Sequence, residues 1–154
     1  IILCLAELER SVLVLAQSIH VVAEKQVRDY LTGKGYTEKT IDETIAKMSS
    51  YSFINDADFS ADYARSYSKN KGKRLIALEL KRKGVSDESM AEALDSLGDE
   101  LPSACAVGEK YSRNKEKTRE NMLKCYKYLL SKGFSYDTAK EAAEKIFKNE
   151  DDDF

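Results

Sequence analysis

Residue types on which catalytic and metal sites often depend are scarce in this chain. Its 154 residues include one histidine, one proline, no tryptophan and three cysteines. His20 stands alone in an apolar stretch, which disfavours a histidine-based triad and a multi-histidine metal site. Cys4, Cys105 and Cys125 lack the paired spacing of a zinc site. We interpret them as small core residues of a protein in a reducing compartment.

Neither sign of charge dominates, and long apolar runs are absent. The 25 basic and 27 acidic residues give a net charge of −2, unlike the basic excess of dedicated nucleic-acid-binding proteins. Residues 12–22 are too few to span a bilayer, and no Gly-x-x-x-x-Gly-Lys-Ser/Thr loop offers a phosphate cradle. We therefore expect a cytoplasmic protein without membrane contact, cofactor, metal ion or catalytic residues. Because the chain begins without methionine, we also expect further residues upstream.

What is present is a repeat with a period of 49 residues. It is most visible in the dipeptides Lys34-Gly35, Lys83-Gly84 and Lys132-Gly133. A leucine lies four positions before each glycine, and a hydroxyl residue lies two positions after it. These residues are Leu31, Leu80 and Leu129, and Thr37, Ser86 and Ser135.

Each Lys-Gly pair predicts a corner between two helices. Glycine ends a helix in the left-handed conformation without a Cβ penalty, so Gly35, Gly84 and Gly133 are predicted helix ends. The apolar residue after each glycine can contact the leucine before it, as in a Schellman motif. The hydroxyl residues Thr37, Ser86 and Ser135 are predicted to cap the next helix, whose apolar positions should form one buried face.

A third helix is predicted to follow in each of the first two copies. In copy one, Asn55 is the predicted N-cap, Asp56 lies in the first turn, and the helix ends near residues 70–72. Asp56, Asp58 and Asp62 are also close enough in sequence to suggest a divalent-ion site, but helix capping explains the first two better. Corresponding residues in copy two lie 44 positions later.

These features predict an all-α fold, an elongated stack of tandem three-helix repeats. The repeats are predicted at residues 24–71, 72–116 and 117–149. An N-terminal helical segment at 1–23 precedes them, and an acidic tail at 150–154 follows. We expect the protein to be a monomer.

Basic residues cluster at the ends of helices. Two interpretations remain open: a solvated surface whose charges suit the helix dipoles, or a basic stripe that meets an acidic or nucleoprotein surface. The candidate partner-binding residues are Lys69, Lys71, Lys73, Arg74, Lys81, Arg82, Lys83, Arg113, Lys115 and Lys117.

Nine tyrosines lie among these charges and could stack on the bases of a single strand. The helical pattern instead places several of them at least partly in the core, where the ring is buried and the hydroxyl stays hydrated. We favour core packing for Tyr36, Tyr63, Tyr67 and Tyr111.

Two runs, FINDADFSADYAR at 53–65 and KGKRLIALELKRKGV at 71–85, resemble the signature of the bacterial RecX family. The tandem three-helix pattern that accompanies them covers about residues 24–148. The resemblance implies a non-enzymatic modulator of the RecA recombinase, which lies along the groove of the RecA filament and can contact the single-stranded DNA within it. In this family the typical effect is inhibition of strand exchange, ATP hydrolysis and co-protease activity. A direct single-strand binder and a generic helical-repeat scaffold are the alternatives.

Overall fold

The computed structural model describes residue 10 and residues 23–148 of the chain. Between residues 23 and 148 it contains eight α-helices and no β-strand, which confirms the prediction of an all-α helical-repeat fold. The helices are α1 (Glu24–Gly33), α2 (Glu38–Ser50), α3 (Asp56–Tyr67), α4 (Lys73–Arg82), α5 (Asp87–Asp95), α6 (Leu101–Ser112), α7 (Arg119–Ser131) and α8 (Tyr136–Phe147).

Several predictions fall on the rest of the chain. Apart from Arg10 and Ala23, the predicted N-terminal segment lies outside the described residues, and so do the acidic tail, Cys4 and His20. Within the described part, no helix is long and apolar enough to cross a membrane.

The Lys-Gly corners have the geometry of Schellman helix endings. The glycines adopt positive φ angles of 84° at Gly35, 78° at Gly84 and 87° at Gly133. After each glycine, a backbone N–H donates to the carbonyl five residues earlier, a leucine in every case. The distances are 3.3 Å for Tyr36 to Leu31, 3.2 Å for Val85 to Leu80 and 3.3 Å for Phe134 to Leu129.

The helix that follows each corner begins at a hydroxyl cap. In every case the side-chain oxygen accepts a hydrogen bond from the backbone N–H three residues later. The distances are 3.4 Å for Thr37, 3.3 Å for Ser86 and 3.2 Å for Ser135. Local chemistry therefore sets both sides of each corner.

Contacts divide the chain into two compact units. Among the described residues, unit 1 comprises 23–62 with Leu80–Ala93, and unit 2 comprises Tyr63–Glu79 with 94–148. In unit 1, α1 packs on α2. Its buried core includes the cluster of Val27, Leu31, Ile41, Ile45, Met48 and Ile54.

Unit 2 has its own core, in which α6, α7 and α8 pack on one another. The buried residues of this core include Ala104, Cys125, Leu129, Phe134, Ala139, Ala142 and Phe147. Burial of Cys125 confirms its interpretation as a core residue, and Cys105 packs partly buried against the same cluster. The residue boundaries of the three repeats remain a prediction.

Two details differ from expectation. Helix α3 ends at Tyr67 rather than near residues 70–72, because the N–H groups of Asn70 and Lys71 both donate to the Tyr67 carbonyl and form a turn. In copy two, Met90 and Leu94 are only half-buried, whereas Ala93 is buried. The second helices therefore bury faces of different size, although their apolar positions recur.

Candidate partner-binding surfaces

The first basic cluster follows α3 and opens α4. Lys69 is exposed in the turn, and Arg74 is exposed with its guanidinium carbon 5.1 Å from the centre of the Tyr136 ring. The Lys71 Nζ lies 2.6 Å from Glu79 Oε1 and 4.4 Å from the Tyr67 ring centre. Lys71 is therefore largely committed within the fold, whereas Lys69 and Arg74 face solvent.

The Lys71 ion pair belongs to a small polar network. Tyr63 Oη donates to Glu79 Oε2 at 2.8 Å, so that one carboxylate receives both a phenol and an ammonium. Burial raises the pKa of Tyr63, and the hydrogen bond to Glu79 raises it further. The hydrogen bond from Tyr63 and the ion pair with Lys71 thus connect the end of α3 and the turn after it to Glu79 of α4.

Lys73 is held through its backbone by an acidic side chain. Glu100 Oε2 accepts from the N–H of Lys73 at 3.0 Å, and Glu100 Oε1 accepts from the N–H of Ser135 at 2.9 Å. In unit 1, Asp56 Oδ1 accepts from the N–H of Glu24 at 3.2 Å. Each acid thus satisfies a free N–H at the start of the first helix in its own repeat.

This role of Asp56 differs from the predicted one. Asn55 caps α3, because its Oδ1 accepts from the N–H of Asp58 at 3.1 Å. Asp56 lies in the first turn of α3 as expected, but its side chain caps α1. No cluster of three or more metal-ligating side chains occurs within residues 23–148.

The second basic cluster lies at the end of α4, in unit 1. Lys81 and Arg82 are exposed in the last turn, where positive charge is favoured by the helix dipole, and Lys83 is half-buried. The other two clusters belong to unit 2.

The third cluster follows α6. Arg113 is exposed, and the Lys117 Nζ donates to the Lys148 carbonyl at 3.4 Å. The Lys115 Nζ lies 3.0 Å from the centre of the Tyr111 ring. Tyr111 in turn stacks on Tyr128, with ring centres 4.3 Å apart and planes inclined by 15°.

Tyr-Lys pairs four residues apart recur at the helix ends and were not predicted as units. Tyr67 with Lys71 and Tyr111 with Lys115 are related by the 44-residue spacing of the third helices. The first helices carry Tyr30 with Lys34 at 5.6 Å and Tyr128 with Lys132 at 5.3 Å. The identical spacing of tyrosine and lysine was the sequence signal that could have revealed these cation–π pairs.

Six of the ten candidate cations are exposed and form no ion pair with a described carboxylate. They are Lys69, Arg74, Lys81, Arg82, Arg113 and Lys117. Lys117 donates to the Lys148 carbonyl, whereas the other five side chains offer accessible positive charge without such a bond.

Comparison with known proteins relates the helical repeats to a described family. Residues 55–94 match the family model described as RecX, second three-helix domain. Regulatory protein RecX of Clostridium botulinum strain Eklund 17B is 34% identical over 133 residues, which cover 82% of this chain and 63% of that protein. The chain belongs to the RecX family. Its RecX relative in Bacillus subtilis strain 168 is 32% identical over 135 residues, with 84% of this chain and 51% of that protein covered.

Solved RecX structures agree with the fold. A crystal structure of RecX from Lactobacillus salivarius has a TM-score of 0.81 and 26% identity, with 92% of this chain and 96% of that chain covered. A second crystal structure, of a regulatory protein RecX, also has a TM-score of 0.81; at 20% identity it supports the fold alone. The present chain spans between half and two thirds of the length of the curated RecX relatives described above.

Proposed function

We propose that this chain regulates a RecA recombinase by binding along the groove of the RecA–DNA filament, thereby modulating recombination, ATP hydrolysis and SOS co-protease activity. Membership of the RecX family carries the proposal, since the signature runs at 53–65 and 71–85 fall within or beside the matched second domain. The regulator acts by binding, without catalysis or cofactor, as a monomer in the cytoplasm. A helical-repeat protein suits this task because its contact surface does not depend on one deep pocket.

The exposed cations give this binding a physical basis. Lys81 and Arg82 at the end of α4, and Arg113 after α6, present positive charge that described carboxylates leave unpaired. A filament offers both acidic protein surface and DNA phosphates, and either attracts such charges. We assign these residues to filament contact.

Direct capture of free single strands is less well supported. Base stacking needs an accessible aromatic face. Beside the basic clusters, the half-buried Tyr111 instead packs against Tyr128 and Lys115. Tyr67 and Tyr136 are exposed, but Tyr67 packs against Tyr63 and Lys71, and the Arg74 guanidinium lies over the Tyr136 ring. The net charge of −2 also disfavours tight binding to bare phosphates at physiological salt.

RecA-dependent ATP hydrolysis on single-stranded DNA tests the proposal. Wild-type protein, added at sub-stoichiometric ratios, is expected to lower the rate, and Lys81→Glu combined with Arg82→Glu should weaken this effect. The matched control combines Lys110→Glu with Lys127→Glu, two exposed lysines outside the candidate set whose reversal changes the net charge equally. Because the control alters charge elsewhere, it should retain wild-type inhibition.

The outcomes separate the alternatives. No effect of wild-type protein on a matched RecA would contradict the proposed function and leave a generic scaffold. Tight, steeply salt-dependent binding to a naked oligonucleotide, equal to that of the filament, would favour the direct strand binder.

A further inference from the structure

An apolar groove in unit 2 lies between the start of α4 and the corner that joins α7 to α8. Its volume is about 480 Å³. Helix α4 contributes Arg74, Leu75 and Leu78, and the corner contributes Leu130, Gly133 and Tyr136. The groove is open to solvent, since Leu78 is 46% exposed and Tyr136 is 61% exposed.

Backbone contact creates this groove. Gly72 donates its N–H to the Lys132 carbonyl at 2.8 Å, and the Arg74 N–H donates to the Gly133 carbonyl at 3.1 Å. With the two backbones this close, the side chains of Leu78 and Tyr136 project on either side of the junction and line its walls. The groove thus adjoins a backbone-bonded junction within unit 2.

The repeat-equivalent positions in unit 1 carry residues of a different kind. There the corner at Gly84 packs against Lys25 at the start of α1. At the positions 49 residues before Leu78 and Tyr136 stand Asp29 and Asp87, and Lys25 Nζ lies 2.6 Å from Asp29 Oδ2. Charged residues therefore stand at these positions in unit 1, whereas unit 2 exposes a leucine and a tyrosine to water.

The lining also indicates the chemistry of the occupant. Arg74 stacks on Tyr136 and forms no ion pair with a carboxylate among the described residues. A guanidinium held against a ring keeps donors free for a carboxylate. The rest of the lining is mainly aliphatic, and a single cation offers little to a nucleic-acid backbone, which is bound through several phosphate contacts.

We propose that this groove binds a peptide segment of a protein partner, with a large apolar side chain between Leu78 and Tyr136 and a neighbouring carboxylate on Arg74. Contiguous exposed apolar surface with a polar rim is typical of such interaction sites. The inference rests on the proposed function and deepens it, because it assigns the groove to the protein component of the filament rather than to its DNA.

Exchange of groove residues for charged ones provides the test. Leu78→Asp installs the residue type found at the equivalent position of unit 1, and Arg74→Glu reverses the cation. Leu123→Asp is the matched control, because Leu123 is 48% exposed and does not line this groove. Binding of each fluorescently labelled protein to RecA filaments on single-stranded DNA is measured, with circular dichroism to verify helix content.

We expect Leu78→Asp and Arg74→Glu each to weaken filament binding by about 10-fold or more, as loss of an interface anchor does, and Leu123→Asp to stay within about twofold of wild type. Unchanged affinity of both groove variants would overturn the groove assignment while leaving the filament proposal intact. Equal weakening by the control would also overturn it. Failure of wild-type protein to bind filaments would overturn both proposals.

A photo-cross-linking amino acid in place of Leu78 identifies the occupant directly. Mass spectrometry should find cross-links to a RecA segment in which an acidic residue adjoins a large apolar one. Cross-links to DNA or to a second copy of this chain would contradict the assignment. Absence of cross-links would also contradict it, provided that the substituted protein still binds filaments.

Discussion

The backbone N–H of Gly72 lies 2.8 Å from the carbonyl oxygen of Lys132, so that the residue before α4 is bonded to the corner after α7. This approach depends on the absence of side chains. A Cβ at Gly72 would collide with the backbone of Gly133 and Phe134, and a Cβ at Gly133 would collide with Leu75. Gly133 therefore has two roles, as a left-handed helix ending and as a contact surface.

Alanine at the corner glycines should separate these roles. Gly35 has a φ of 84°, and no atom lies within 4 Å of the position that a Cβ would occupy, so Gly35→Ala should cost only the left-handed strain, about 1–2 kcal/mol. Gly133→Ala carries the same strain at φ 87° and adds the collision with Leu75, so it should cost about 3 kcal/mol or more. Urea denaturation of both variants measures the difference. Equal losses of unfolding free energy would show that unit 2 relaxes without cost around the added methyl group.

Removal of the Glu100 carboxylate should destabilise the protein more than removal of Asp56. Glu100 accepts from two backbone N–H groups and Asp56 from one. We expect Glu100→Ala to lower the unfolding free energy by about 2–3 kcal/mol and Asp56→Ala by about 1 kcal/mol. Chemical denaturation provides both values.

Glu92→Ala is the control for these substitutions, because Glu92 is exposed within α5 and should cost less than about 0.5 kcal/mol. A cost for Glu100→Ala no larger than that of the control would mean that water replaces the carboxylate at both helix starts.

The corners could be predicted from sequence because their determinants are local. Gly84 and Ser86 are two positions apart, and each acts on its immediate backbone neighbours. The carboxylate contacts could not be predicted in the same way, since Glu100 is separated by 27 residues from Lys73 and by 35 from Ser135. Only packing of the helices brings these groups together.

Candidate surfaces were harder to predict than corners because a basic residue type does not specify its partner. In the sequence, Lys71 and Lys115 are basic residues near helix ends just as Arg82 is, so all three were equally good candidates for filament contact. In the structure Lys71 pairs with Glu79 and Lys115 covers Tyr111, whereas Arg82 is exposed. The sequence contained only a weak indication of the apolar groove beside Arg74. Leu78 and Tyr136 stand where the preceding repeat has charged residues.

Tyr63 should make the stability of the protein fall in alkaline solution. Burial first, and then the hydrogen bond to Glu79, raise the pKa of the folded-state phenol above its ordinary value of about 10. The neutral Tyr63 phenol contributes its full stabilisation below the pKa that this phenol has in the unfolded chain. Above that pKa the phenol ionises more readily in the unfolded chain than in the folded protein, so the stabilisation is lost as pH rises through the folded-state pKa. Unfolding free energy should therefore fall more between pH 9 and pH 11 for wild type than for Tyr63→Phe. Parallel losses in both proteins would contradict this assignment.

Cys105 and Cys125 should both react with iodoacetamide more slowly than an accessible thiol does. Burial raises the pKa of both Cys105 and Cys125, so less of the reactive thiolate is present at pH 8. Cys125 is 0% exposed, with its Sγ 4.0 Å from the Gly108 carbonyl oxygen, and Cys105 is partly buried. We expect Cys125 to react only upon unfolding and Cys105 to react slowly in the native protein, at a rate that rises with pH.

Peptide mass spectrometry after timed alkylation distinguishes the sites, and urea-unfolded protein gives the reference rate. Rapid native alkylation of Cys125 would show that the α6–α7–α8 core opens readily.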